Sequence, residues 1–309
     1  MKKFLLKLLL FLLLIFLLPF CFVFIGDANN YFGQNKSGTS SEEPLAEMIE
    51  YAHNPVPNII LGDSRMHALK IEEFNQQTEE TFAKMTGGGL SAREIIEMFW
   101  YCESFGDLEK VYLGVSFYNI QENYNGISNR IEKLRQTLKS PFSYVYSVNT
   151  IVDSYKYLTE EKADVDNSDV KQKKVVEYEK IDYIEYARNI YDACSLGRGY
   201  NIHQDSLDKL VEIAEYCRDN DIELIFVLPP YHHTIYEKVI KELDMEGEIL
   251  RYQEVLVSCA EVRNMEYFDA FSFNDENFID GFHLSQGALT KFIKTINKND
   301  CDAMMRDKK

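Results

Sequence analysis

The sequence predicts an α/β fold, a parallel sheet covered by helices on both faces, carried behind an N-terminal transmembrane helix. Three observations lead there. Short apolar runs closed by Gly or Pro alternate with stretches of helical period, the pattern of strands buried on both faces. Residues able to do chemistry gather just after those runs, where ligand sites of parallel sheets lie. The chain also opens with a nearly unbroken apolar run from Leu8 to Ile25, extended by Phe4 to Leu6 ahead of Lys7.

That stretch is about 22 residues, long enough to cross a hydrocarbon core as a helix. Lys2, Lys3 and Lys7 flank its start and predict that the rest of the chain lies outside the cytoplasm. Cleavable signal peptides have a shorter apolar region, which favours an uncleaved anchor over residues 1–28, although Gly26-Asp27-Ala28 offers a small-x-small cleavage site. Cys21 follows the bulky Phe20, a poor setting for lipid attachment. Residues 29–57 are polar and include Gln34-Asn35-Lys36-Ser37-Gly38, which reads as a linker.

The expected domain runs over residues 58–300, with a tail at 301–309. Asn58 to Leu61 is a first strand ending in Gly62-Asp63-Ser64, with a helix-like stretch after it. Thr81 to Met85 is a second, leading to Gly87-Gly88-Gly89. Ser91 and Glu94 form a capping box opening a helix to Ser104. Lys110 to Val115 is a third strand. A helix over Leu207 to Asn220 precedes the clearest strand, Glu223 to Leu228, which Pro229-Pro230 stops. Glu266 to Asp269 is expected as a fifth strand and Ser285 to Asn297 as a closing helix. Between about 121 and 201 the strand rhythm is lost. That stretch reads as a helical insertion with a charged loop at 160–174, serving as a cap or partner surface, or as an irregular part of the domain.

Composition removes several functions. The chain has 46% hydrophobic residues, with 20 Tyr and 20 Phe, which excludes disorder as its ground state. Some 33 basic against 50 acidic residues give a net charge of −17, which repels a phosphate backbone and argues against nucleic-acid binding. The cysteines at 21, 102, 194, 217, 259 and 301 form no zinc-ligand spacing, and the histidines form no ligand set with carboxylates. No cofactor or metal is expected.

The chemistry concentrates in two short segments. Ser64 follows a strand at a turn into a helix, which exposes its hydroxyl beside backbone N–H groups and suits both nucleophilic attack and oxyanion binding. A serine needs a base, and the base an orienting carboxylate. Asp280 and His283, three apart before the last helix, can supply the pair. His232-His233 after the fourth strand is a candidate for substrate contact or accessory base, against a plain solvated loop. Arg65 and His67 follow the nucleophile; Arg65 is a candidate to steer an anionic polymer or to cap the helix region.

These segments resemble the SGNH/GDSL hydrolase superfamily over most of Asn58 to Asn297. Gly62-Asp63-Ser64 matches the family's first block, and Asp280-Gly281-Phe282-His283 matches its closing Asp-x-x-His block. The resemblance implies a flavodoxin-like three-layer α/β/α sandwich, with Ser64 as nucleophile, His283 as general base and Asp280 as its partner. It implies an oxyanion hole made by the Ser64 N–H with a glycine of the 87–89 run, Gly88 or Gly89. The third block departs: the family's Gly-x-Asn-Asp is replaced by Gly114-Val115-Ser116-Phe117-Tyr118-Asn119, so Asn119 or Ser116 would have to stand in.

That departure and the N-terminal anchor resemble the D-alanyl transfer proteins of teichoic-acid operons and the alginate-acetylation proteins more than free lipases. The resemblance implies an extracytoplasmic serine esterase or O-acyltransferase acting on a cell-surface glycopolymer or acylated carbohydrate, beside a membrane-bound O-acyltransferase. The competing expectation is a noncatalytic carbohydrate-binding or assembly subunit that keeps the fold.

Overall fold

A computed structural model describes residues 2–34, 44–124, 129–159, 185, 199–266 and 270–297. The charged loop at 160–174, Cys194, Cys301 and the 301–309 tail lie outside the described residues. The chain divides into two compact units, Asn54–Arg130 with Glu179–Lys309, and Met1–His53 with Ile131–Tyr178.

The first unit is built on five parallel strands: β1 (Asn58–Gly62), β2 (Phe82–Thr86), β3 (Lys110–Gly114), β4 (Glu223–Leu228) and β5 (Glu261–Asn264). Their spatial order is β2-β1-β3-β4-β5, the doubly wound flavodoxin-like order, with every neighbouring pair parallel. β1 is buried at every position because it lies inside the sheet with helices over both faces.

Side chains alternate between the two faces. Ile60, Tyr112, Ile225 and Val227 join one core cluster with Phe74 of α4 (Ile71–Thr78) and with Leu289, Phe292 and Ile293 of the closing helix. Their neighbours Ile59, Leu61, Val111 and Phe226 turn the other way, where α5 (Ala92–Glu103) packs on β1. The helices Gln204–Asp219 and Glu246–Cys259 pack on β4 and β5. The result is a three-layer α/β/α sandwich. α5 starts where the sequence places it, with the Ser91 and Glu94 side chains and backbones bonding reciprocally.

β1 leads into a single turn, α3 (Ser64–His67), whose Met66 is fully buried beneath the strand ends. Two glycines make room for it. A Cβ at Gly62, whose φ is +153°, or at Gly114 would each lie 2.4 Å from Met66 Cγ. Bulk at the ends of β1 and β3 would push the α3 turn off the sheet.

One predicted element moves. The fifth strand is Glu261–Asn264, not Glu266 to Asp269, and residues 267–269 lie outside the described residues. Only Val262 in that edge strand is apolar, so the aromatic pair further on drew the expectation away from it.

The second unit contains α1 (Lys2–Gly26), long and apolar enough to cross a membrane, and α2 (Leu45–His53). It also holds nearly all of α6 (Arg130–Leu138), with α7 (Pro141–Val145) and α8 (Val148–Thr159). The segment expected as a plain linker is partly built. Leu45, Met48 and Ile49 bury one face of α2 at helical spacing. Asp27 accepts from the N–H groups of Phe32 (3.0 Å) and Gln34 (2.9 Å), folding the chain back after α1. Tyr31 then stacks on Tyr144 of α7 at 3.9 Å.

Candidate active site

Ser64, His283 and Asp280 meet in the sheet unit, although Ser64 and His283 are 219 residues apart in the chain. Asp280 is the key to the local fold of its loop. One carboxylate oxygen accepts from the Phe282 N–H (2.8 Å) and the His283 N–H (2.7 Å), winding residues 280–283 into a tight turn. The other oxygen lies 2.7 Å from His283 Nδ1. Because that oxygen is an acceptor, Nδ1 carries the ring proton and Nε2 keeps its lone pair. Nε2 lies 2.8 Å from Ser64 Oγ, placed to receive the hydroxyl proton. Burial works to raise the Asp280 pKa, but the hydrogen bond and charge of His283, with the two backbone donors, hold it below the usual carboxylate range. The carboxylate therefore stays ionised and able to stabilise an imidazolium.

Asp63 stands at the centre of a buried polar network behind the serine. It caps α3 by accepting from the Arg65 N–H (3.0 Å), and also accepts from Arg65 Nη2 (3.5 Å), Asn119 Nδ2 (3.3 Å) and the Tyr118 hydroxyl. Arg65 was a candidate for polymer steering or capping, but its side chain is buried, with the residue only 4% exposed. Its guanidinium donates to the Pro229 carbonyl (3.3 Å) and lies 4.8 Å from the Tyr118 ring centroid and 5.6 Å from that of Phe282. Desolvation of Arg65 is opposed by Asp63, Tyr118 and Glu266, which keep it charged. Phe282 belongs to the 280–283 turn, so Arg65 touches both the serine segment and the histidine segment.

Asn119 and Ser116, the expected substitutes for the third oxyanion donor, are turned inward. Asn119 Oδ1 accepts from the Ser116 N–H (3.0 Å), its amide nitrogen donates to Asp63, and both residues are buried. They build the 115–119 turn, where the Asn119 N–H also donates to the Ser116 carbonyl (3.2 Å). Gly88 and Gly89 are exposed, Gly89 with φ +65°, while Gly87 N–H is bonded to the Gly62 carbonyl (3.2 Å). The Gly88 carbonyl accepts from Arg130 Nη2 (3.0 Å), whose guanidinium also sits 3.8 Å from buried Glu94.

His232 is not a solvated loop residue, nor does its ring face outward. It is buried, with Nδ1 accepting from the Thr234 N–H (3.3 Å) and Nε2 3.1 Å from Asp275 Oδ1. Burial lowers its pKa against the pull of Asp275. Its backbone N–H donates to the Gly281 carbonyl (2.9 Å), pinning the turn that holds His283. His233 stacks on Phe273 at 4.7 Å, and His67 Nδ1 lies 3.0 Å from Thr86 Oγ1.

Sequence reading passed over Tyr118, Phe282 and Glu266. Glu266 is fully buried just after β5 and accepts from the Phe117 N–H (3.1 Å), from Gln253 (3.5 Å) and from the Tyr252 hydroxyl. Burial pushes its pKa up to about 7, resisted by the Arg65 charge and these donors. An isolated glutamate in a sequence carries no sign of burial; only its place in the fold reveals it. Among the described residues no group of three or more His, Cys, Asp or Glu is placed to hold a metal ion.

Comparison with known proteins adds little. No family model matches the sequence, and no curated protein matches it. Among solved structures, a Streptococcus pneumonia chain described as a platelet activating factor is similar at 13% identity and TM-score 0.43, covering 81% of this chain and 89% of its own. A Desulfitobacterium hafniense DCB-2 chain described as a lipolytic protein of the G-D-S-L family is similar at 9% identity and TM-score 0.35, over 78% of this chain and 98% of its own. At that distance neither likeness bears on the chemistry, which rests on the triad.

Proposed function

We propose that the chain is a membrane-anchored, extracytoplasmic serine esterase or O-acyltransferase of the SGNH/GDSL superfamily, acting on acyl esters of cell-surface polymers. The observation that carries this reading is the continuous hydrogen-bond chain from Ser64 Oγ through His283 to Asp280. In the proposed reaction Ser64 Oγ attacks the ester carbonyl as its proton passes to His283 Nε2. The resulting imidazolium is stabilised by Asp280, and the proton then goes to the departing alkoxide. That leaves an acyl group on Ser64. A water or an acceptor hydroxyl, deprotonated by His283 in turn, attacks the acyl carbonyl and releases Ser64. The 22-residue apolar run with its lysine flank supports the membrane placement, and a membrane-bound O-acyltransferase is the proposed acyl source for transfer.

The inward turn of Asn119 and Ser116 favours a second reading, a noncatalytic carbohydrate-binding or assembly subunit. A fluorophosphonate probe separates the two. Wild-type protein should be labelled at Ser64 and Ser64→Ala should not. Absence of labelling on folded wild-type protein would leave the binding reading in possession.

A further inference from the structure

Within the second unit, α8 is built the wrong way round for a helix in water. Its buried positions are the small polar residues Thr150 and Ser154. At about 100° per residue, Ile151, Leu158, Tyr155, Val148 and Val152 form one continuous stripe. Val148 is 73% exposed, Tyr155 59%, and Val152 and Leu158 are exposed beside them. Phe142 on α7 is 64% exposed. The opposite flank carries Asn149, Asp153 and Lys156. A water-facing helix buries its apolar stripe and exposes its polar one; here the apolar stripe faces out.

The neighbour of α7 and α8 is α1, and three contacts fix how deep they run along it. The Tyr146 hydroxyl donates to the Phe16 carbonyl, and the Phe16 and Tyr146 rings lie 6.1 Å apart. At the far end, Gly26 is so close to α8 that a Cβ there would sit 2.9 Å from Ser154 Cβ. Small residues that let two helices approach this closely are typical of packing within a membrane. From Phe16 to Gly26 is roughly 15 Å of helix, about half the thickness of a bilayer core. With Lys2, Lys3 and Lys7 on the cytoplasmic side, that half of α1 is the outer half.

We infer that α7 and α8 form a hairpin seated in the outer leaflet beside α1, with Phe142, Val148, Ile151 and Val152 against lipid acyl chains and Tyr155 and Leu158 at the interface. The inference rests on the reading that α1 spans the membrane. Given that reading, α8 cannot lie along the last ten residues of α1 and stay in water. Leaving its apolar stripe in bulk solvent would forgo burial that the neighbouring lipid supplies at no cost in chain entropy. Its composition fits the place: an amphipathic helix with a polar flank, Tyr155 at interface level, and Lys156 beyond Ser154 where its ammonium reaches the headgroups. The chain is then held to the membrane by two elements, a crossing helix and an outer-leaflet hairpin.

Cysteine accessibility tests this on the full chain. In a background with all six cysteines replaced, single cysteines are placed at Val148, Val152, Phe11 in α1, and Glu212, a position in the sheet unit on the helix Gln204–Asp219. Each protein is reconstituted into phospholipid vesicles with no other protein and treated with a membrane-impermeant maleimide. Val148→Cys and Val152→Cys should react roughly tenfold or more slowly than Glu212→Cys, as Phe11→Cys does, because a charged reagent is excluded from the hydrocarbon. All four should react equally once denatured. If Phe11→Cys is protected while both α8 positions react as fast as Glu212→Cys, the hairpin lies outside the lipid and only the inference falls. If α8 is protected in native membranes but not in pure vesicles, a protein covers the stripe and the lipid assignment is overturned. Fast reaction of Phe11→Cys would remove the span itself and the inference with it.

Discussion

Glu266→Gln removes a buried carboxylate without changing its shape, and its effect on stability should depend on pH. The folded-state pKa of Glu266 is about 7, against 4.5 for the free side chain. A carboxyl raised in the fold is protonated more readily when folded than when unfolded. Its contribution to stability is therefore fully present below pH 4.5 and is lost as pH rises through 7. Moving the pKa from 4.5 to about 7 corresponds to about 3.5 kcal/mol in all, at about 1.4 kcal/mol per pH unit. Glutamine does not titrate, so the loss of stability with rising pH should be absent in the variant. Whatever the substitution changes in the bonds from the Phe117 N–H and the Tyr252 hydroxyl is a constant offset across pH. Denaturant unfolding of the detergent-solubilised protein, followed by fluorescence of the single tryptophan, Trp100, reads the sheet unit directly. Between pH 5 and pH 8 the stability of Glu266→Gln should rise relative to wild type by about 2.5 kcal/mol, most of the full amount. His232 titrates in both proteins and cancels in the difference. A wild-type-minus-variant difference that is flat over this range would show that Glu266 is ionised throughout, and the account of burial against Arg65 would be wrong.

Three further outcomes follow from the site. Ser64→Ala and His283→Ala should each reduce esterase or transferase turnover by at least about a thousandfold, with the double variant little worse and Asp280→Asn losing less than either; additive losses in the double variant would contradict a single proton-transfer unit. Arg65→Met should destabilise the fold by about 3 kcal/mol or more, because Asp63 loses its buried counter-charge; a midpoint unchanged in denaturant would refute the network. Gly114→Ala should cost about 1–3 kcal/mol by forcing its Cβ against Met66, and Met66→Ala in the same chain should recover part of that loss rather than add to it.

Much of the sheet was legible because its strands are short apolar runs between breakers, and the α5 start because Ser91 and Glu94 spell a local motif. The triad residues were legible for a related reason. Each lies in a short block whose geometry is set within four residues, the Gly62-Asp63-Ser64 turn and the Asp280–His283 turn. The buried network was not legible. Arg65 and Glu266 are residue types that normally face water, and what draws them inside is Tyr118, Tyr252 and the Phe117 N–H, brought together only by the fold. The inward turn of Asn119 was hidden likewise, since its partners are the neighbouring Ser116 and the distant Asp63. The helix Leu45–His53 carried a readable signal, Leu45, Met48 and Ile49 at helical spacing, masked by the polar composition around it.

The wide separation of the two triad segments has a consequence for how the molecule comes into being. Ser64 follows the first strand, and His283 precedes the last helix, 219 residues later. At about 5–20 residues per second, synthesis reaches the histidine roughly ten to forty seconds after the serine. On the proposed reading, the nascent chain throughout that interval carries a nucleophile without its base, an ordinary alcohol with no reason to attack any ester it meets. On the same reading, chains broken off anywhere before Asp280 are equally inert. The place of the base, beyond the last strand of the sheet, acts on that proposed reading as a timer, and the serine is activated only once the 280–283 turn has been made.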